Sequence, residues 1–137
     1  MSDFVLDASA WLALILPAVK EQRDYADKVF SLIRNGAEPA VPSIWVVEMA
    51  AALLKSRRSR GISSAGYSAA LDTIDVLPYA LHHIAYTVRD IADIAAKSQL
   101  AGYDSLYFDL ARRLEIPMAT LDDGIRSACQ HHAVKLL

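Results

Sequence analysis

Short apolar runs alternate along the chain with longer stretches in which apolar residues recur at helical spacing. The run Phe4-Val5-Leu6 has three consecutive apolar side chains, which is typical of a strand buried on both faces. Four further runs are interpreted as strands, and the last of them is predicted to lie at a sheet edge. These further strand candidates span residues 40–42, 75–77, 117–121 and 134–137.

Helix signals fill the intervals between these runs. Ser9 is predicted to cap a helix from Ala10 to Leu16 that Pro17 stops. Thr87, with Asp90 three residues later, resembles a capping box. Further helices are predicted over residues 25–33, 44–57, 64–74, 87–96, 104–114 and 124–130, two of them with caps at Ser43 and Asp104 and one opened by Ser64. The alternation predicts one α/β domain over residues 1–137, with a short, mostly parallel central sheet flanked by helices on both faces.

Composition narrows the class of protein further. The 137 residues suffice for one domain with a hydrophobic core. The apolar run from Ala8 to Leu16 is about half of the ~20 residues that a membrane helix needs, so no membrane association is expected. The single cysteine, Cys129, cannot form an internal disulfide, which favours a cytoplasmic location. The net charge of -2 offers a nucleic acid no overall attraction, so any RNA contact would need local basic groups and metal.

Glu48 is the least ordinary acidic residue of the sequence. It is the only charged residue between Ile44 and Leu54, and its helical neighbours at three and four positions on either side are all apolar. A carboxylate in that setting loses hydration without a basic partner on its own helix. Two interpretations follow: a glutamate on a narrow exposed stripe, or a carboxylate that binds metal or transfers protons.

Three aspartates stand at junctions between predicted elements. Asp7 and Asp122 directly follow strand candidates, and Asp104 stands at the start of a helix. Each is equally consistent with a turn or helix cap, and Asp122 has an adjacent carboxylate in Asp123. In a parallel sheet, however, sites form beyond the carboxyl ends of the strands. Carboxylates gathered there suit Mg²⁺ or Mn²⁺, which can activate water and neutralise charge on a phosphate.

Four segments, taken in order, resemble the successive motifs of PIN-domain ribonucleases, in particular the VapC-type toxins of bacterial toxin–antitoxin pairs. They are Val5-Leu6-Asp7-Ala8-Ser9-Ala10, Val46-Val47-Glu48-Met49-Ala50, Tyr103-Asp104-Ser105-Leu106-Tyr107 and Ala119-Thr120-Leu121-Asp122. The resemblance extends over essentially the whole chain. It implies a parallel sheet flanked by helices, dependence on Mg²⁺ or Mn²⁺, and endonucleolytic cleavage of RNA.

The same resemblance assigns roles to individual residues. Asp7 and Asp104 would be the principal metal ligands, and Glu48 and Asp122 would complete a catalytic acidic pocket. The hydroxyls of Ser9 and Thr120 would orient these ligands. Asp123 stands where many relatives carry a basic residue, so which aspartate of the pair faces the site is open.

The basic run around Arg57, Arg58 and Arg60 has two interpretations. Cations at the end of a helix complement its dipole, or they contact RNA phosphates or an acidic stretch of a partner. The aromatic residues Trp11, Tyr103, Tyr107 and Phe108 are expected in the core or at a dimer face rather than as platforms for stacking bases.

Partners and alternatives follow from the resemblance. It implies an RNA substrate, a homodimer, and a cognate antitoxin that covers the acidic site with a basic side chain and alone links the complex to DNA. Two other functions remain open: a catalytically silent module that binds RNA or a protein, and a housekeeping RNA-processing nuclease. A bare acidic pocket argues against the silent module, because a binder of anions gains nothing from it.

Overall fold

The computed structural model describes residues 1–16 and 18–137 of the chain. Four parallel strands form one sheet in the order β3-β2-β1-β4: β1 (Phe4–Leu6), β2 (Pro39–Pro42), β3 (Ala80–His82) and β4 (Met118–Ala119). Every residue of β1, β2 and β4 is buried, so both faces of the sheet are covered. The described helices are α1 (Ala8–Ile15), α2 (Lys20–Arg34), α3 (Ile44–Arg58), α4 (Ser64–Val76), α5 (Val88–Ser98), α6 (Gly102–Leu114) and α7 (Asp123–His131). The predicted parallel α/β domain is confirmed.

Two strand predictions need correction. Residues 75–77 are not a strand, since Asp75 and Val76 end α4 and Leu77 caps it. Ala70, Ile74 and Leu77 all pack inward at helical spacing, and this pattern outweighs the short apolar run before Pro78. The third strand is β3 instead. The predicted edge strand 134–137 is reduced to one parallel bridge between Leu136 and Met118.

Two predicted caps shift. Asp7 caps α1, accepting the N–H of Ala10, and Ser9 lies inside the helix. α6 begins after Ala101, with Asp104 in its first turn, whereas α4 begins at Ser64 as predicted, with Ser63 as its cap. Ser43 precedes α3 without a capping hydrogen bond from its side chain. The capping box of Thr87 and Asp90 is confirmed, whereas the prediction that Pro17 stops the first helix lies outside the described residues.

The strand order brings the candidate acids to one edge of the sheet. β1 is central, with β2 on one side and β4 on the other, and the carboxyl ends of all three point to the same edge. Asp7 follows β1, Asp122 follows β4, and α3 leaves that edge after β2 with Glu48 in its second turn. Because α6 leads back into β4, its first turn, which contains Asp104, also lies at this edge.

Packing between the first and third helices fixes the position of two of these elements. Trp11 of α1 and Trp45 of α3 are fully buried, with ring centroids 5.1 Å apart. Trp11 is four residues after Asp7, and Trp45 is three residues before Glu48, so this contact ties the two carboxylates to one rigid core. None of the helices in the described residues is long and apolar enough to cross a membrane.

Candidate active site

Asp7 is the most deeply buried acid at this edge, with 3% of its surface exposed. Its Oδ1 accepts the backbone N–H of Ala10 at 3.0 Å and the Ser9 hydroxyl at 2.8 Å. Its Oδ2 accepts the Thr120 hydroxyl at 2.6 Å. A carboxylate with this many donors has a defined orientation before any ligand arrives.

Both hydroxyls that reach Asp7 are themselves oriented by the loop after β4. The N–H of Leu121 donates to Ser9 Oγ at 3.3 Å, and the N–H of Asp122 donates to Thr120 Oγ1 at 3.0 Å. Each hydroxyl therefore accepts from the backbone and directs its own proton to the carboxylate. The structure thus places Ser9 and Thr120 against Asp7, where the sequence analysis expected orienting groups.

Thr120 is held in turn by two side chains that the sequence analysis did not single out. Its N–H donates to Tyr25 Oη at 3.0 Å, and its carbonyl accepts from Arg126 Nη1 at 3.1 Å. β4 ends one residue earlier, so these side chains satisfy backbone groups that the sheet no longer pairs. No local pattern could reveal Tyr25, because the contact joins residues 95 apart in sequence.

Burial and hydrogen bonding act on Asp7 in opposite directions. Burial raises its pKa, while the bonds from Thr120, Ala10 and Ser9 lower it, and the charge of Asp122 raises it. Burial dominates and brings the pKa to about 6. The apoprotein therefore holds a carboxyl group whose charged form a nearby cation would stabilise.

Asp122 has a double role at the start of α7. Its Oδ1 accepts the N–H of Ile125 at 2.8 Å, which makes it the helix cap. Its charge also contributes to raising the pKa of both Asp7 and Asp104. Asp123 is exposed in the first turn of the same helix. Of the adjacent pair, Asp122 is the aspartate that faces the other acids.

Glu48 and Asp104 occupy the more open side. Glu48 Oε1 accepts the hydroxyl of Tyr107 at 2.7 Å, and both acids are half-buried. Burial raises the pKa of Glu48 and of Asp104, and Asp104 adds to the effect on Glu48. The two acids line an open depression of about 370 Å³ together with Ala101, Gly102 and Tyr103. The partner of Glu48 in the protein is thus a phenol on another helix, and its half-buried carboxylate is consistent with either interpretation given from the sequence.

The four acids form an electrostatic chain, in which repulsion between their charges links one acid to the next. Asp7 is coupled to Asp122, Asp122 to Asp104, and Asp104 to Glu48. The ion pairs found in the described residues, Lys20–Asp24 and Arg113–Asp109, involve none of the four. Across residues 1–16 and 18–137, no group of three His, Cys, Asp or Glu side chains is arranged to hold a metal ion as it stands.

The basic run lies apart from the acids. Arg57 and Arg58 are in the last turn of α3, nine and ten residues from Glu48, which is roughly 14 to 15 Å along the helix axis. Arg57 donates to the Ser64 hydroxyl at 2.8 Å, whereas Arg58 and Arg60 are exposed. The position of Arg57 and Arg58 suits the helix dipole, and the structure does not bring the run to the acidic edge.

Comparisons with known proteins agree with this architecture. Residues 4–130 match the PIN domain. Among solved structures, the chain is similar to the crystal structure of PAE2754 from Pyrobaculum aerophilum, with 18% sequence identity and a TM-score of 0.66 over 93% of this chain and 79% of that one. At that identity the likeness concerns the fold alone. No curated protein matches the sequence.

Fold and site together define a parallel α/β domain with four carboxylates at the carboxyl edge of its sheet. The chain belongs to the PIN domain family, because the match covers nearly its whole length. PIN domains are generally nucleases and generally bind divalent metal. The family predicted from the four motifs is therefore confirmed.

Proposed function

We propose that this PIN domain is a divalent-metal-dependent endoribonuclease that uses Mg²⁺ or Mn²⁺. Asp7 carries the proposal: it is a buried carboxylate oriented by three donor groups, and it takes part in neither of the ion pairs found in the described residues. Glu48, Asp104 and Asp122 belong to the same electrostatic chain. A net charge of -2 gives RNA no general attraction, so a bound cation would make this edge receptive to phosphate.

The donor set fits a hard divalent ion. Such ions prefer carboxylate oxygens, and the candidate ligands Asp7, Asp104, Glu48 and Asp122 offer only these. Asp7 is preset by its hydrogen bonds, and Glu48 accepts the hydroxyl of Tyr107. Because no three of these acids are arranged for an ion as they stand in the described residues, an ion shared among them requires the half-buried Asp104 to rotate toward it. When bound, the ion activates water and neutralises charge that develops on the phosphate.

The residues of the chain provide orientation and room for the substrate. Ser9 and Thr120 direct the Asp7 carboxylate through hydrogen bonds. A second depression of about 290 Å³ is lined by residues that include Ser9, Leu121 and Asp122. Glu48 and Asp104 line one depression and Asp122 lines the other, so each gives an RNA phosphodiester room beside a candidate metal ligand.

Cleavage of fluorogenic RNA tests this function. We expect cleavage with Mg²⁺ or Mn²⁺, its loss with a chelator, and its loss in Asp7→Asn, because the amide keeps the shape and removes the charge. Asp93→Asn is the matched control, since Asp93 is exposed on α5 and its charge is not among those that shift the pKa of Asp7, Glu48 or Asp104. Cleavage that ignores both chelator and Asp7→Asn would disprove the metal-nuclease proposal.

A catalytically silent binding module makes a different prediction. Such a module would cleave no RNA in a varied pool of sequences, yet would bind RNA or a protein with the same affinity in wild type and Asp7→Asn. A varied pool is needed because toxins of this type accept only particular RNAs. We expect cleavage of at least one member.

We further propose that the nuclease is the VapC-like toxin of a toxin–antitoxin pair. The four motifs support this role, and the four acids, none of which forms an ion pair in the described residues, offer negative charge to a basic side chain of an antitoxin. Induced expression in bacteria should arrest growth for wild type and not for Asp7→Asn, and a small neighbouring gene should restore growth. RNA cleavage in vitro without growth arrest would instead favour a housekeeping role. Homodimerisation, and DNA contact through the antitoxin, stay predictions from the resemblance.

A further inference from the structure

Tyr107 combines a core position with a polar contact at the acidic edge. It is 1% exposed, and its ring belongs to the hydrophobic core. Its hydroxyl nevertheless leaves the core and donates to Glu48 Oε1 at 2.7 Å, which joins α6 to α3 across 59 residues of sequence. A buried tyrosine hydroxyl usually needs a hydrogen-bond partner, and here that partner is Glu48, a candidate metal ligand.

The hydroxyl also lies beside the other acids. Tyr107 is three residues after Asp104, so the two side chains share a face of α6. Burial raises the pKa of Tyr107, and the charges of Glu48, Asp7 and Asp104 add to it. The phenol O–H is thus placed to donate to a carboxylate at the acidic edge.

Glu48 depends on this donor more than Asp7 depends on any of its own. Asp7 receives three donor groups, whereas Tyr107 is the hydrogen-bond donor that reaches the Glu48 carboxylate from the described residues. Glutamate has three rotatable side-chain bonds, so a single contact decides where its carboxylate points. Burial of the Tyr107 ring makes that contact a fixed anchor.

We propose that Tyr107 is a positioning residue that holds the Glu48 carboxylate toward the metal site. The inference rests on the proposed metal-dependent function and deepens it. Tyr107 acts through Glu48 and binds no ion itself, which is the role that donors behind metal ligands commonly have.

Tyr107→Phe removes the hydroxyl and keeps the buried ring. We expect Mn²⁺ affinity, measured by electron paramagnetic resonance titration of the RNA-free protein, to fall by roughly tenfold to a hundredfold. The matched control is Tyr86→Phe, because Tyr86 also donates its hydroxyl to a carboxylate, Asp109 of α6, at 2.6 Å, outside the acidic chain. Tyr86→Phe should leave Mn²⁺ affinity unchanged, and thermal unfolding of both variants checks that they fold.

A double-mutant cycle with Glu48→Gln shows whether Tyr107 acts through Glu48. In the Glu48→Gln background, Tyr107→Phe should lower Mn²⁺ affinity no further, because there is no carboxylate left to position. An unchanged affinity in Tyr107→Phe alone, or an equal loss in both backgrounds, would overturn the proposal.

Side-chain dynamics separate this proposal from the proposed function. Scalar couplings of Glu48, measured by nuclear magnetic resonance without metal, should report one rotamer in wild type and in Tyr86→Phe and averaging in Tyr107→Phe. If wild type neither binds Mn²⁺ nor cleaves RNA, the proposed function fails, and these couplings still decide: averaging supports positioning by Tyr107, whereas an unchanged rotamer overturns it.

Discussion

The two halves of the acidic site are built in opposite ways. The Asp7 half consists of Asp7, Ser9, Thr120 and Asp122. The hydroxyls of Ser9 and Thr120 donate to Asp7, and the N–H of Asp122 donates to Thr120. The Glu48 half consists of Glu48 and Asp104, which are half-buried beside the open depression where Tyr103 is 61% exposed. In this half, Glu48 receives the single donor Tyr107 from the described residues.

This difference in hydrogen bonding and burial indicates which half is oriented before an ion binds and which half adjusts to it. Folding orients the Asp7 half in advance, and the cost is a buried carboxyl group whose pKa is raised to about 6. Water still reaches the Glu48 half, so Asp104 can adjust to an ion or substrate at lower cost, while Tyr107 keeps the Glu48 carboxylate in place. A preset ligand beside an adjustable one lets the site exist before the ligand arrives and close afterwards.

The largest expected effect separates the two halves by catalysis. Asp7→Asn should lower RNA cleavage at saturating Mn²⁺ by more than about a hundredfold, since groups that merely orient ligands already contribute ten- to a hundredfold. Glu48→Gln should cost less, because its neighbours can rearrange in the open half. Steady-state cleavage rates of the two variants test this. An equal or larger loss in Glu48→Gln would show that the preset half has no special weight.

The second effect concerns stability without metal. Below pH ~4, Asp7 is protonated in both the folded and the unfolded chain; as pH rises toward about 6, the unfolded chain releases its proton first, and the fold loses stability. The difference between the folded-state pKa of about 6 and the ordinary value of 3.8 corresponds to about 3 kcal/mol in the free energy of unfolding. Asp7→Asn abolishes this titration, so its free energy of unfolding relative to wild type should rise by up to that amount between pH ~4 and ~8.

Urea unfolding with chelator present measures this change. Glu48→Gln is the comparison from the open half, and we expect a smaller pH dependence because its carboxylate is partly hydrated. If Asp7→Asn and wild type keep a constant difference in the free energy of unfolding across this pH range, burial does not raise the pKa of Asp7.

A third prediction removes one donor from the Asp7 half. Thr120→Val keeps the buried shape, deprives Asp7 of a hydroxyl and leaves the N–H of Asp122 without its acceptor. We expect a loss of about 1–3 kcal/mol in unfolding free energy and roughly tenfold in Mn²⁺ affinity. The control is Thr73→Val. The Thr73 hydroxyl donates to the carbonyl of Ala69 in its own helix, so its removal should change stability and Mn²⁺ affinity little. Equal effects in the two variants would contradict the role of Thr120.

The smallest effect belongs to the basic run outside both halves. Joint replacement of Arg58 and Arg60 by Gln should leave Mn²⁺ affinity unchanged, because the run stands roughly 15 Å along α3 from Glu48. KM for RNA should rise by a few-fold at low salt, with the difference disappearing at high salt. Impaired Mn²⁺ binding in this variant would extend the site beyond the two halves.

Much of this site follows from local sequence. The buried run Phe4-Val5-Leu6 and the alternation of elements predict a parallel sheet, and Asp7 directly after that run predicts an acid at its carboxyl edge. The apolar surroundings of Glu48 mark it as unusual before any contact is known. Tyr107, by contrast, is predicted in the core or at a dimer face, and its ring lies in the core. From the sequence, only its spacing of three residues from Asp104 indicates that it shares a helix face with a candidate acid.

The sequence by itself determined the class of fold and the candidate acids, because both depend on periodicity and on residues next to strand ends. Tertiary structure decided which of Asp122 and Asp123 faces the site, that Asp7 caps its helix, and that Tyr107 meets Glu48. Those outcomes depend on contacts between residues far apart in the chain, and on how deeply each carboxyl is buried. No local pattern encodes burial, so the strong preset half and the open half became distinguishable only in the folded protein.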